Sequence, residues 1–347
     1  MSNMEKINKV SFLAIEPSVQ IVIPEPIQKS SNNKDYVPYG RDNRYPKYLL
    51  KLYTECSTLK SIIEGNINFV LGDDIMLAGW SKRDTRALIS NIVRDYYVFG
   101  YAFLQVIRNN GGDITELYHL KSEDVRTDKD REAFWYSDSW YKSGSSKALV
   151  YPRFLGGDIG RTQATSVIML GDGRDIYPAP IWSSAIRDAE IQVRIEDFHL
   201  TELENNFLSS AIVNFNNGIP SSEEKLEIER NMSEKFSGSK NAGRMLLSFN
   251  NSVVNRTTLE RLSSDNFDSR YDGLSKRSRE QLFISFRAQP LLFGLTSESS
   301  VGFSTQEFSD LFKLYQKTQI SPVQDMLVDL FTNIFGYEAL TITPFTI

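Results

Sequence analysis

The chain has 347 residues, a net charge of -5 and one cysteine, with 41% hydrophobic and 24% charged residues. This composition is typical of a folded globular protein and excludes a wholly disordered chain. A single cysteine excludes an intrachain disulfide, and the acidic balance argues against a protein that grips duplex phosphates over its whole surface. No signal peptide or long apolar run is recognised, so we expect a soluble protein of a reducing compartment.

The N-terminal part predicts an arm followed by helices. Residues 1–35 are polar and irregular, which is typical of an extended N-terminal arm. Apolar residues spaced by three and four predict helix over Tyr45–Leu71, with Ser57 as an internal N-cap. A further helix is predicted over Lys82–Val98, with Ser81 as its cap.

After Gly100 the pattern becomes that of β-strands. Residues 101–107 are rich in strand formers, residues 109–113 predict a turn, and Ile114–Leu120 predicts the return strand of a hairpin. Further short strands are predicted at 133–141, 148–154 and 166–170. The first 170 residues therefore predict an α+β domain.

The middle of the chain predicts two long helices with an insertion between them. Two prolines at 178 and 180 mark a boundary, and a helix of roughly 40 Å is predicted over Ile181–Phe207. Residues 208–255 predict a small α/β insertion, with strands at 211–215 and 244–249 and a capped helix from Ser221. The second long helix is predicted over 265–286.

The C-terminal part predicts a glycine- and serine-rich loop and a last long helix. Ser304 and Glu307 form a capping box for a helix that extends to residue 335. Pro322 should kink or break this helix, and Gly336 should end it before a short tail.

The motifs of the common catalytic sites are missing from the sequence. The two histidines, His119 and His199, have no partners at metal-ligand spacing, and neither a nucleophile elbow nor a phosphate-binding P-loop occurs. We predict a protein that is not an enzyme, with no catalytic residues, no metal and no cofactor. The alternative from another class is a metal-dependent DNA-processing enzyme, which would need a convergent carboxylate cluster.

Five stretches in order resemble the portal proteins of tailed bacteriophages. The resemblance spans roughly residues 36–335 and rests on Tyr39–Pro46, Phe215–Pro220, Gly238–Arg244, Ile284–Gly294 and Ser304–Pro322. They resemble, respectively, the entry to the wing, the step from stem to clip, the clip hairpin, the end of the second stem helix and the crown-side helix. Gln289 departs from the pattern because a small apolar residue is usual there.

The resemblance implies an α+β portal fold, with a wing, two stem helices bracketing a clip, a tunnel loop and a kinked C-terminal helix. The implied division is an arm (1–35), a wing (36–180), a first stem helix (181–208), a clip (209–255), a second stem helix (256–287), a tunnel-loop region (288–303) and a C-terminal helix with a short crown-side tail (304–347). A larger C-terminal crown is expected to be missing.

The resemblance also implies a role and partners. Portal proteins assemble as a dodecameric ring at one capsid vertex, through which double-stranded DNA is packaged and ejected without sequence specificity. The implied partners are further copies of the chain, the terminase large subunit, a head–tail adaptor and the major capsid protein. The implied location is the virion, with the host cytoplasm during assembly. Another head–tail connector is the alternative within the same class.

Two sets of candidate site residues follow from the resemblance. The DNA-channel set is Leu295, Thr296, Ser297, Glu298, Ser299, Ser300, Val301, Gly302, Phe303, Lys276, Arg277 and Arg279. The partner-binding set on the clip is Asn217, Gly218, Glu223, Glu224, Lys240, Asn241 and Arg244. The three basic residues could equally pair with acids of neighbouring subunits, and the loop could be an ordinary surface loop.

Overall fold

The computed structural model describes residues 23–28, 35–140, 148–156, 163–171, 175–204, 211–215, 220–221, 223–224, 226–228, 230, 245–249, 267–295 and 305–346. Over these residues the chain combines helices with small sheets, as the predicted α+β class requires. Within the same ranges, no helix has the length and apolar character needed to span a bilayer.

The elements are numbered in chain order. The helices are α1 (Tyr45–Glu55), α2 (Ser57–Leu71), α3 (Lys82–Phe99), α4 (Ile186–Glu204), α5 (Phe267–Ser285), α6 (Thr305–Tyr315) and α7 (Ser321–Phe335). The strands are β1 (Asp74–Leu77), β2 (Ala102–Arg108), β3 (Ile114–Leu120), β4 (Val125–Thr127), β5 (Ala133–Tyr136), β6 (Leu149–Pro152), β7 (Thr165–Leu170), β8 (Ala211–Phe215), β9 (Met245–Phe249) and β10 (Leu340–Thr343).

Helices α1 and α2 are separated by one residue, so the predicted cap at Ser57 is wrong. Cys56 is the N-cap of α2, and its extended backbone (φ -84°, ψ 106°) breaks the helical path. Helix α3 begins as predicted, because the Ser81 hydroxyl accepts a hydrogen bond from the Asp84 backbone at 3.1 Å. The apolar stripes of all three helices face one core.

Two three-stranded antiparallel sheets complete the N-terminal body. The first has the order β3-β2-β7 and contains the predicted hairpin, whose turn is closed by the Asn109 amide donating to the Asp113 carbonyl at 2.9 Å. The second has the order β4-β5-β6. The predicted strand over 133–141 is shorter in the structure, and β5 ends at Tyr136.

The buried side chain of Arg126 joins the segment before α1 to strand β4. Its Nε donates to Asn43 Oδ1 at 2.6 Å and its Nη2 to the Asn43 carbonyl at 2.8 Å. Its Nη1 donates to the carbonyls of Glu123 and Val125 at 3.0 and 2.7 Å. Arg126 is fully buried, and the ring of Trp140 lies 5.3 Å from its guanidinium carbon. At this point of the core, hydrogen bonds from a buried guanidinium, instead of apolar contacts, join the segment before α1 to strand β4.

A segment of the predicted arm lies against this core. The side-chain amide of Gln28 donates to the Tyr177 carbonyl and its oxygen accepts from the Tyr177 amide, both at 2.8 Å. The Gly40 amide donates to the Ile27 carbonyl at 2.8 Å. Residues 23–28 therefore contact the body directly.

The C-terminal tail forms a strand that was not predicted. Strand β10 pairs antiparallel with β1, with Leu77 opposite Leu340 and Asp74 opposite Thr343. Beyond it, the Thr346 amide donates to Asp73 Oδ2 at 3.2 Å. Residues more than 250 positions apart thus share one small sheet.

The predicted helix over Ile181–Phe207 is shorter at its start, which is a correction. Residues 183–185 form a 3₁₀ turn, and α4 begins at Ile186. The reason is Trp182, which is fully buried and donates from its indole nitrogen to the Tyr97 carbonyl at 2.9 Å. The nineteen residues of α4 span about 28 Å.

Pro322 interrupts the regular hydrogen bonding of the last helix, in the way its chemistry predicts, while the backbone remains helical. Proline lacks the amide that the helix interior needs, and its ring clashes with the preceding turn. Residues 316–320 form a π-helical turn, after which α7 begins at Ser321 with the proline in its first turn. The π-helical turn between α6 and α7 is wider than an α-helical turn, and it accommodates the proline in the first turn of α7.

Candidate functional site

Helices α4 and α5 form an antiparallel pair that in sequence lies on either side of strands β8 and β9. Phe198, late in α4, stacks on Tyr271, early in α5, with ring centroids 5.0 Å apart. Asp188, early in α4, interacts with Arg277, later in α5. Between the two helices in sequence lie β8 and β9, which pair in parallel with Ala211 opposite Met245. The pair therefore connects the α+β body to a separate small sheet.

Helix α4 docks on α1 and α2 through polar contacts. The Tyr48 hydroxyl donates to Glu190 Oε2 at 3.2 Å, and Arg194 holds the same carboxylate through its Nε at 2.9 Å. Cys56 Sγ donates to the side-chain oxygen of Gln192 at 3.4 Å, and both residues are buried. These hydrogen bonds have directional requirements, so they fix the orientation of α4 on the body.

The reactivity of the Cys56 thiol measures whether α4 remains packed on α1 and α2. Burial raises the pKa of Cys56 from its ordinary value of 9.0 to about 11, which lowers the thiolate fraction at pH 8 about a hundredfold. We expect labelling with a thiol reagent at pH 8 to be slow in the folded protein and fast in urea. Equal rates in the two conditions would show that α4 does not cover the thiol.

Helix α5 ends in a turn that anchors the following loop. Phe283 and Phe286 are buried at the end of α5, and residues 290–293 form a 3₁₀ turn. The Phe293 ring lies 5.8 Å from the rings of Phe69 and Phe283. From the other side of the loop, Phe312 lies 5.6 Å from Phe69. One aromatic cluster therefore holds both the 3₁₀ turn that precedes residues 296–304 and helix α6, which follows them.

The absence of a side chain at Gly65 leaves space for the Phe293 ring. A Cβ atom at Gly65 would lie 2.6 Å from the Phe293 ring, whereas one at Gly273 in α5 would meet nothing within 4 Å. We expect Gly65→Ala to destabilise the protein by about 2 kcal/mol, because the ring must move, while Gly273→Ala stabilises it by about 1 kcal/mol. Denaturant unfolding of both variants checks this. Stabilisation by both substitutions would contradict the contact.

The structure describes only some of the predicted site residues. Leu295 is 40% exposed just after the anchoring turn, and Lys276, Arg277 and Arg279 are exposed on α5. Glu223 and Glu224 are exposed, and Glu224 accepts a hydrogen bond from the Ser221 amide at 2.8 Å, as the predicted capping box requires. The remaining predicted residues lie outside the described part: Thr296, Ser297, Glu298, Ser299, Ser300, Val301, Gly302, Phe303, Asn217, Gly218, Lys240, Asn241 and Arg244.

The charges of the helix pair are divided unequally. Over the residues whose side chains are described, α4 carries Asp188, Glu190, Glu196 and Asp197 against two arginines, whereas α5 carries the three basic residues named above against Asp272 and Glu280. Partial burial raises the pKa of the Asp188 carboxyl, and Arg277 opposes that shift. Sequence reasoning found these charges but missed the anchoring role of Gly65 and Phe293, since spacing alone does not reveal a ring packed on a distant glycine.

Comparison with known proteins gives structural matches alone. No family model and no curated protein matches the sequence. A chain of the virion of a native gene transfer agent particle has a TM-score of 0.57 at 12% identity, covering 87% of this chain and 84% of that chain. A chain from the neck of the native particle, computed with C12 symmetry, has a TM-score of 0.53 at 13% identity, covering 85% and 84%.

An HK97-family phage portal protein from Corynebacterium diphtheriae also matches, with a TM-score of 0.46, 8% identity and coverage of 82% and 90%. That score is too low to carry an argument by itself. The chain has the fold of the gene transfer agent virion and neck chains. At the level of the fold, the comparisons support the resemblance to phage portal proteins that the sequence predicted.

Proposed function

We propose that this chain is the subunit of a portal ring, through which DNA enters and leaves a phage-like capsid. The observation that carries the proposal is the antiparallel α4–α5 pair, which connects an α+β body to the small β8–β9 sheet within a fold shared with neck chains. The matched neck was computed with C12 symmetry, which supports a dodecamer. The role is structural, since matched chains are components of virions and necks.

The portal assignment supplies roles for the described elements. The body would form the wing, α4 and α5 the stem, the β8–β9 region the clip, and the residues after Leu295 the tunnel loop. Lys276, Arg277 and Arg279 are proposed as channel contacts, and Glu223 and Glu224 as part of the surface that meets terminase and the adaptor. The sparse basic charge suits DNA that slides, because tight phosphate contacts would slow it.

The alternatives receive less support. A connector of another type is not expected to have two long helices bracketing an insertion, yet this order is observed. A metal-dependent nuclease needs convergent carboxylates. Among the residues that the structure describes, no group of three histidine, cysteine or carboxylate side chains is placed to hold a metal ion. No observation therefore favours the enzyme.

The ring is tested directly with purified protein. We expect negative-stain images to show rings with a central hole, and mass photometry to find a species about twelve times the 39.6 kDa of one chain. Uniform monomers or dimers over a wide concentration range would contradict the proposal. Deleting residues 209–255 and joining α4 to α5 provides a variant that should keep the body but lose the partner-binding end.

A further inference from the structure

A polar groove lies on the body, and its lining residues come from elements other than α4 and α5. It has a volume of about 780 Å³ and is bounded by the turn after β1, the β2–β3 hairpin and the C-terminal end of α7. Its lining includes Trp80, Arg108, Thr115 and Asn333. The volume falls within the range of sites that bind small molecules, and the lining is more polar than is usual for them.

Arg108 lines this groove without a counter-ion in the described part of the chain. The residue is 7% exposed, and its Nη1 atom is buried with no hydrogen-bond partner. Its guanidinium carbon lies 4.7 Å from the centroid of the Phe154 ring, which holds the side chain in place. The β2–β3 register shifts at Arg108, as at the β-bulges that re-aim side chains near binding sites.

A buried guanidinium with an unpaired nitrogen is costly, so its stable state includes an anionic partner. The fork of an arginine fits a carboxylate or a phosphate. Two carboxylates also line the groove, but each is exposed and engaged locally. The Asp84 carboxylate accepts a hydrogen bond from the Ser81 hydroxyl at 2.6 Å. The Asp113 carboxylate accepts one from the side-chain amide of Asn109 at 3.3 Å. Their negative field disfavours a doubly charged phosphate more than a singly charged carboxylate.

We propose that the Arg108 groove receives a carboxylate side chain from a second copy of this chain. The choice of a second copy rests on the proposed function as a ring subunit. In a symmetric ring, the groove of each subunit faces the same surface of the next subunit. The surface supplies candidate donors, since Asp325, Asp329 and Glu338 are exposed and form no ion pair among the described residues. A closed ring would repeat the contact once per subunit.

The test compares Arg108→Met with Arg83→Met, a control at an exposed position near the start of α3. Thermal unfolding is measured with acetate, phosphate and chloride at equal ionic strength, and ring formation by mass photometry. We expect acetate, which carries one negative charge like a side-chain carboxylate, to stabilise the wild type and the control but not Arg108→Met. We also expect Arg108→Met to raise the concentration needed for ring formation roughly thirtyfold, since removing one member of a buried charge pair weakens association strongly.

The two parts of the proposal fail separately. If phosphate stabilises the wild type through Arg108 and acetate does not, the carboxylate assignment is wrong. If Arg108→Met forms rings as readily as the control, the second copy is not the donor. If the wild type forms no rings, both the proposed function and the second-copy donor are overturned, while the acetate measurement still decides whether the groove binds a carboxylate.

Discussion

Replacing Arg126 with methionine is expected to cost on the order of 4 kcal/mol of folding free energy. Methionine keeps most of the volume but removes every donor, so the carbonyls of Asn43, Glu123 and Val125 lose their partners. Each buried acceptor left unsatisfied costs about 1–3 kcal/mol, and part of the sum is recovered as the site relaxes. For a domain whose total stability is about 5–15 kcal/mol, this loss is severe.

The measurement is urea unfolding monitored by tryptophan fluorescence. Arg41→Met is the matched control, since Arg41 is exposed in the same segment that Arg126 secures. We expect the control to lie within about 0.5 kcal/mol of the wild type. A change below about 1 kcal/mol in Arg126→Met would show that water replaces the guanidinium and that the connection between the chain before α1 and strand β4 is not essential.

Gly100→Ala is expected to destabilise the protein by about 3 kcal/mol. Gly100 ends α3 with φ at +89°, and a Cβ atom there would lie 2.6 Å from the carbonyl carbon and oxygen of Ala179. The left-handed backbone costs an alanine about 1 kcal/mol, and the clash with a main chain that cannot rotate away adds about 2 kcal/mol. Because Ala179 precedes the turn at Trp182, the displacement should also reach the start of α4.

Gly79→Ala separates these two causes. Gly79 has a similar φ of +81°, but a Cβ atom there would meet nothing within 4 Å. We expect it to cost about 1 kcal/mol, the backbone contribution alone. Equal losses in the two variants by denaturant unfolding would mean that the segment at Ala179 moves freely and does not determine where α4 begins.

The elements that the sequence predicted are those set by local chemistry. Ser81 caps α3 through the amide of Asp84, and the turn at Asn109 closes the hairpin through bonds within five residues. Pro322 disrupts its helix because its own ring forbids the regular hydrogen bond. In each case the interacting atoms lie close in sequence, so the pattern contains the information.

The elements that were missed depend on distant residues. Strand β10 exists because β1 offers an edge. The alternating, β-branched run Leu340–Thr343 is compatible with a strand, but four residues do not reveal the partner with which it pairs. Helix α4 begins late because Trp182 reaches the Tyr97 carbonyl, eighty-five positions away. For the candidate site, the helix charges could be named from sequence, whereas Arg108 was indistinguishable from any basic residue at the end of a strand. Its isolation in a groove is a property of tertiary packing.

The pairing of β1 with β10 also bears on how the protein is made. Strand β1 leaves the ribosome long before its partner at Leu340–Thr343, which lies more than 250 positions further along the chain. The sheet therefore closes only after the intervening chain has been synthesised, and such long-range pairing is slow because a large loop has to be ordered first. Nascent chains truncated before Leu340 should remain susceptible to proteolysis near β1, a sensitivity that chains containing β10 lose.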